Sequence, residues 1–334
     1  MLKRKKIVWM ITGLVAALSL TACGAAKPGP AENLPAAAGV DGKLAVYTTI
    51  YPLQYVASRI GGQWADVKNI VPAGVEPHDF ELSAQEMVAI AEADLFVYNG
   101  AGLEGWAEKA AEGFDPNKVK VVNGTEGLAL LKADQESNEQ AEGETNQNEM
   151  ASEASPEQEN GEYDPHVWMD PIMLKAQAAK VKDAMVAADQ AHRSDYEKNY
   201  EQLAADLDGL DKEFAAMAEK AARKEFVVSH SAFNYLASRY GLEAISISGI
   251  SPSDEPSAAE IKGLIEKVKE LQIQYIFFET LVSPKVAEVI AREAGVKTAT
   301  LNPLEGPTEE EAKAGKDYLV FMRENLEALR IALQ

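Results

Sequence analysis

The chain has 334 residues, 46% of them apolar, which is enough for two domains of ordinary size with substantial cores. Its formal net charge of −21 argues against a nucleic-acid binder and against a polybasic membrane patch, because both need an excess of Lys and Arg. The balance is compatible with a secreted protein that handles a cation, although an acidic surface is more often only a solubility device.

MLKRKK is a basic n-region, and IVWMITGLVAALSL after it is an apolar run of signal-peptide length, too short for a comfortable membrane span. The run ends in Leu20-Thr21-Ala22-Cys23. Small residues just before a cysteine resemble a bacterial lipobox, in which the cysteine is lipidated and becomes the new N-terminus. Cys23 is the only cysteine, so no disulfide can form within the chain. The expectation is a signal peptide over 1–22, lipidation at Cys23 and a tether over 23–42 with the Ala/Gly/Pro composition of a flexible linker. The globular body is then held outside the bacterial cytoplasmic membrane.

KLAVYTTI (43–50) reads as a strand, and YPLQYVASRIGG follows with helical spacing and a Gly-Gly stop. DVKNIV (66–71) reads as a second strand, and Ser83 with Glu86 forms a capping box that opens a helix. DLFVYNG (94–100) and VKVVNG (119–124) are the third and fourth strands, with a helix around GLEGWAEKAAEG between them. The alternation implies βαβ units and a mostly parallel sheet. It breaks at 132–163, a Glu/Gln/Asn/Ser-rich stretch with too little apolar surface to offset its ordering entropy, which reads as a disordered acidic loop.

PIMLKAQAAKVKDAMVAAD is helical, and 193–224 reads as one long helix of roughly 40 Å or more, a rigid connector between two lobes. The alternation resumes with EFVVSH (225–230) and continues through EAISIS, QYIFFE and VKTATL, each strand followed by a helix. The predicted organisation is an N-terminal lobe over 43–192, a connecting helix over 193–224 and a C-terminal lobe over 225–334. The fold class is α/β, two (βα) lobes with mostly parallel sheets.

Ligands of open α/β sheets bind at the carboxyl ends of the strands. His78 lies a few residues after DVKNIV, His230 directly after EFVVS, and Glu305 just past VKTATL; His166 follows the acidic loop and opens a helix through DPHVWMDP. These are strand-to-helix junctions, two in each lobe, and a cleft between the lobes is where such junctions face one another. Imidazole plus carboxylate suits zinc. Pro77 and Pro165 fix the backbone just before two of the histidines. Glu279 also ends a strand and rivals Glu305 as the carboxylate. Asp79 and Glu81 flank His78 as groups that orient the imidazole or draw in the cation, not as ligands. His192 reads as a surface or capping residue, and the aromatics of VYNGAGLEGW and FNYLASRY as core.

The set GVEPHDFELS, DPHVWMDP, SHSAFNYLASRYGL and NPLEG resembles the zinc-type members of the cluster A-I metal-binding solute-binding lipoproteins, the receptors of bacterial zinc and manganese ABC importers. The resemblance runs from about Lys43 to Gln334. It implies two lobes joined by one long rigid helix, with the metal in the inter-lobe cleft held by His78, His166, His230 and Glu305. It also implies a monomeric, non-enzymatic receptor that binds Zn2+, is held at the membrane by its lipid anchor, and passes the ion to the permease of a zinc ABC importer. Manganese-selective relatives place a carboxylate where His230 stands, and a third imidazole favours zinc over Mn2+. A manganese receptor stays open, because zinc outcompetes manganese at almost any such site. Zinc receptors often carry a histidine-rich loop where 132–163 lies, and here that loop has no histidine. Two readings from other classes are a zinc hydrolase with Glu305 or Glu279 as general base, which lacks an HExxH motif, and a surface adhesin, which no residue supports directly.

Overall fold

Short runs of β-branched and aromatic residues form the strands of the protein, seen here in a computed structural model that describes residues 42–133 and 163–334. The expected signal peptide, Cys23, the tether up to residue 41 and residues 134–162 of the acidic loop lie outside the described residues.

β1 (Leu44–Thr48), β2 (Ala65–Asn69), β3 (Leu95–Tyr98) and β4 (Lys120–Asn123) pair in parallel in the order β2-β1-β3-β4. β5 (Glu225–Val228), β6 (Glu243–Ser246), β7 (Tyr275–Phe278) and β8 (Lys297–Thr300) repeat the arrangement as β6-β5-β7-β8. Strands of a parallel sheet are covered on both faces, and β1 is buried along its whole length.

The N-terminal lobe carries α1 (Tyr51–Gly61), α2 (Ala84–Ala91), α3 (Ala107–Glu112) and α4 (Pro171–Ala188). α5 (Arg193–Lys220) follows as a single helix, and the C-terminal lobe carries α6 (Asn234–Tyr240), α7 (Ala258–Glu270), α8 (Lys285–Ala294), α9 (Glu309–Ala314) and α10 (Tyr318–Ala332). α5 ends at Lys220 rather than running to 224, because the amides of Ala222 and Arg223 turn to the carbonyl of Leu333.

α5 buries Tyr196, Leu203, Leu207, Leu210, Phe214 and Met217 along one face. With that face it packs on α1 and α4 of the first lobe and on α10 of the second. One hydrophobic core therefore runs through both lobes, from Leu44 to Leu333. A second, smaller cluster around Val227, Ile276 and Ile290 fills the space beneath α7 and α8.

Candidate metal centre

Of the residues singled out in the sequence, His230, Glu279 and Glu305 come just after strands of the second sheet and His78 lies between β2 and α2, whereas His166, expected at a strand-to-helix junction, follows no strand and comes shortly after the isolated bridge residue Tyr163. His78 lies in a 3₁₀ turn, Pro77–Asp79, with Pro77 at its start and the Glu76 carboxylate accepting from the His78 amide at 3.2 Å. The capping box of Ser83 and Glu86 then opens α2. His166 precedes another 3₁₀ turn, Val167–Met169, and not a helix; the helix begins at Pro171, once Asp170 has capped the amides of Ile172 and Met173. His230 comes two residues after β5. Glu305 follows β8 on a turn where Leu304 adopts φ +59°, a left-handed conformation that a bulky residue holds only when its surroundings enforce it. Those surroundings are Asn302 and Asn325. The Asn302 carboxamide accepts from the Leu304 amide at 2.8 Å, and the Asn325 side chain exchanges two hydrogen bonds with the Asn302 backbone.

The four side chains meet. Nε2 of His78, His166 and His230 lie 3.3, 3.1 and 3.0 Å from Glu305 Oε1. His166 Nε2 is 3.2 Å from that of His78 and 3.4 Å from that of His230. A tetrahedral ion bound at about 2.0–2.1 Å by each donor separates its donors by roughly 3.3–3.4 Å. The observed spacings of 3.0–3.4 Å are close to the edges of such a tetrahedron. His166 and His230 are wholly buried and Glu305 is 1% exposed, while His78 keeps a 9% exposed side chain at the rim. Among the described residues this is the one group of His, Cys, Asp and Glu side chains placed to hold a metal ion.

Carboxylates behind two of the histidines set their tautomers. Asp164 Oδ1 lies 2.8 Å from His166 Nδ1, and Glu279 Oε2 lies 2.6 Å from His230 Nδ1. Each carboxylate holds a proton on Nδ1 and leaves the Nε2 lone pair free for a cation. Glu279 therefore stands behind His230 and not among the converging donors, and the register explains why. Val227 of β5 pairs with Ile276 of β7, so His230 and Glu279, each three residues on, arrive side by side. Asp164 and Glu279 were missed as orienting groups; their signals were the D-P-H spacing and a carboxylate ending the strand beside a histidine's own.

Charge follows this wiring. Burial alone would lower the His230 imidazole, but Glu279 and Glu305 raise it well above the usual histidine range. Burial likewise opposes a raised His166, and Asp164 and Glu305 outweigh it. Burial holds His78 below the usual range, against the pull of Glu305. Glu305 is held well below the carboxylate range: burial would raise it, and His230, His166 and His78 more than offset that. Burial and the neighbouring Glu305 push Glu76 up to about 8.

Other expectations meet a different arrangement. Neither Asp79 nor Glu81 forms a hydrogen bond to His78; among the acids near that ring, Glu76 reaches its backbone. Tyr235 of FNYLASRY is buried as expected of core, yet its hydroxyl donates to Asp164 O at 2.7 Å. His192 stacks on Trp64 with ring centroids 3.8 Å apart and bonds Asp189 at 2.6 Å, and it is not one of the four converging donors.

Two parallel α/β lobes bridged by one long helix, with a buried three-histidine, one-carboxylate cluster between them, define a solute-binding protein of the two-lobed class. Within that class the chain belongs to the family described as zinc-uptake complex component A, periplasmic, which matches residues 46–332. It is 38% identical over 326 residues to the zinc-binding lipoprotein AdcA of Streptococcus pneumoniae, a match covering 98% of this chain and 60% of that protein. The chain thus spans about 60% of the length of that curated relative. It is 36% identical to the high-affinity zinc uptake system protein ZnuA of Bacillus subtilis, over 87% of this chain and 88% of that one. Among solved structures, the Zn(II)-bound ZnuA-like domain of Streptococcus pneumoniae AdcA aligns with a TM-score of 0.72 at 38% identity, covering 87% of this chain and 99% of that domain.

Proposed function

We propose that this chain is an extracytoplasmic receptor that binds Zn2+ through His78, His166, His230 and Glu305 and delivers it to the permease of an ABC importer. The observation that carries the reading is the cluster of three Nε2 atoms around Glu305 Oε1 at 3.0–3.3 Å, drawn from both lobes. Three neutral imidazoles and one carboxylate favour zinc over the harder, more oxygen-seeking manganese. Four protein donors complete a tetrahedral sphere and leave no position for an activated water, so the site suits carriage and not hydrolysis. The names of the pneumococcal and Bacillus relatives, a zinc-binding lipoprotein and a zinc uptake protein, support the same cargo. Lipidation at Cys23 is part of the proposal and rests on the Leu20-Thr21-Ala22-Cys23 sequence.

The test is competitive calorimetry on the purified full chain, with a chelator of known affinity, zinc and manganese in turn, and His230→Ala and Glu305→Ala beside the wild type. One tight zinc site that loses about 100-fold or more on His230→Ala, with a clear loss on Glu305→Ala, supports the reading. Zinc binding indifferent to Glu305→Ala removes the fourth ligand and reopens a catalytic role. Delivery is tested in cells: loss of the gene impairs growth under zinc chelation, and added zinc restores it.

A further inference from the structure

Asp164 is fully buried, and its carboxylate is held from two sides. Oδ1 lies 2.9 Å from the His166 amide and 2.8 Å from His166 Nδ1. Oδ2 accepts from Nδ2 of Asn234 at 3.0 Å. Asn234 belongs to the opposite lobe; it is the first residue of α6, on the same strand-to-helix turn that supplies His230. The next residue, Tyr235, donates its hydroxyl to Asp164 O at 2.7 Å and accepts from the Leu131 amide at 3.0 Å. Tyr235 thus ties together the two described strands of chain that border residues 134–162, whose ends also pair at Lys132 and Tyr163.

The consequence is directional. A buried carboxylate oxygen without a donor carries its full desolvation cost and rotates to recover a partner. Rotation about the Asp164 side chain would carry Oδ1 off His166 Nδ1 and release that ring from the orientation that aims Nε2 at the cation. The aim of a ligand in the N-terminal lobe is therefore set from the C-terminal lobe.

We propose that Asn234 and Tyr235 are positioning residues of the cation site, holding Asp164 across the cleft so that His166 stays aimed and the bound cation escapes slowly. The inference rests on the reading of the four-donor cluster as a zinc site. Neither residue touches the cation, and both act through Asp164.

The experiment is a mutant cycle on the full chain, reading zinc affinity by chelator competition and zinc release by stopped-flow transfer to excess chelator. The chains are wild type, Asn234→Ala, Asp164→Ala and the double variant, with the melting temperature of each metal-free form alongside. Asn234→Ala is expected to speed release about tenfold, near the low end of what loss of an outer partner of a metal-bound histidine costs. In the Asp164→Ala background the same change is expected to add nothing, because the group it acts through is gone. An unchanged release rate in Asn234→Ala, or an equal acceleration in both backgrounds, overturns the inference. Should Asn234→Ala fail to fold, Asn234→Leu, which keeps much of the side chain's shape and removes the Nδ2 donor, enters the same cycle with the same two outcomes; Tyr235→Phe is read in the wild-type background alone, because its partner, the Asp164 backbone carbonyl, survives Asp164→Ala, and an unchanged release rate there overturns the role of Tyr235. Tight zinc binding by the wild type with no response to either variant overturns this inference alone, whereas a wild type that does not bind zinc overturns the receptor reading and the inference with it.

Discussion

The indole Nε1 of Trp168 donates to the carbonyl of Pro303 at 2.7 Å, joining the segment that carries His166 to the turn that carries Glu305. The two segments come from different lobes. The carbonyl of Trp168 in turn accepts from the Tyr318 hydroxyl at 2.6 Å, so the contact is fastened on both sides.

Trp168 is completely buried, and replacing it with Phe leaves the Pro303 carbonyl without its donor. The expected loss is about 1–3 kcal/mol of stability, the cost of one orphaned buried acceptor, with a further contribution from the smaller ring. Urea unfolding of the metal-free chain measures it, and an unchanged midpoint would show that this bond is replaced by water.

Glu279 uses both oxygens on one residue, accepting from the His230 amide at 3.1 Å and facing Nδ1 at 2.6 Å. Glu279→Gln keeps the shape but offers one donor and one acceptor, so it competes for the tautomer that frees Nε2. Zinc affinity is expected to fall about 10–100-fold, and the metal-free chain to melt lower as well, because the buried His230 loses its charge partner. A variant that binds like the wild type would mean that Glu279 only supports the backbone.

The metal-free chain should lose stability as the pH rises. Burial and Glu305 place Glu76 at about 8, and His166 and His230 are raised by their carboxylates against the effect of burial. A group whose folded pKa is raised stabilises the fold fully below its unfolded value, and that contribution is lost as the pH climbs through the folded one. His78 is lowered by burial and opposes these three, while Glu305, held below its usual 4.5, acts only in stronger acid. The expected outcome is a melting temperature that falls between about pH 5 and pH 8 in the metal-free form. Zinc must displace the protons carried on the Nε2 atoms of the raised His166 and His230, so calorimetry in buffers of different ionisation heat should show net proton release on loading at neutral pH.

Gly100 sits at φ +86°, and a Cβ there would lie 2.4 Å from Asn123 Oδ1 and 2.6 Å from Thr125 Oγ1. Its amide donates to the buried Glu104 carboxylate at 3.1 Å, beside Asn99, whose side chain reaches the Pro165 carbonyl next to His166. Gly100→Ala is expected to cost about 2 kcal/mol or more, from backbone strain and from the collision together. Thermal unfolding reads the loss, and a neutral effect would show that the β3 turn yields at no cost.

The inner strands are readable because the middle of a parallel sheet is covered on both faces. LAVYT, EFVV and YIFF are short apolar runs rich in β-branched and aromatic residues, as such central strands require. The histidines stood out because they are few and follow those runs. The carboxylates did not, in a chain with 53 acids. Glu279 and Glu305 both follow strands of the same sheet, so position along the chain leaves them rivals, and only the NPLEG resemblance favours Glu305. The physical reason for their different roles lies in the β5–β7 register, which sets Glu279 behind His230, and in the left-handed turn at Leu304, which precedes the inward-facing Glu305. The bond between Asn234 and Asp164 was out of reach for a plainer reason: 70 residues and a change of lobe lie between its partners.

The core that runs unbroken from Leu44 to Leu333 has a further meaning. Prising the lobes apart would expose the packed face of α5 to water, costing about 25 cal/mol for each Å² of apolar surface uncovered. Among the four converging donors, His78 is the one whose side chain keeps a share of solvent, and so the one an arriving or departing ion meets first. A partner drawing the ion out would find its first handle at that rim, on the turn Pro77–Asp79.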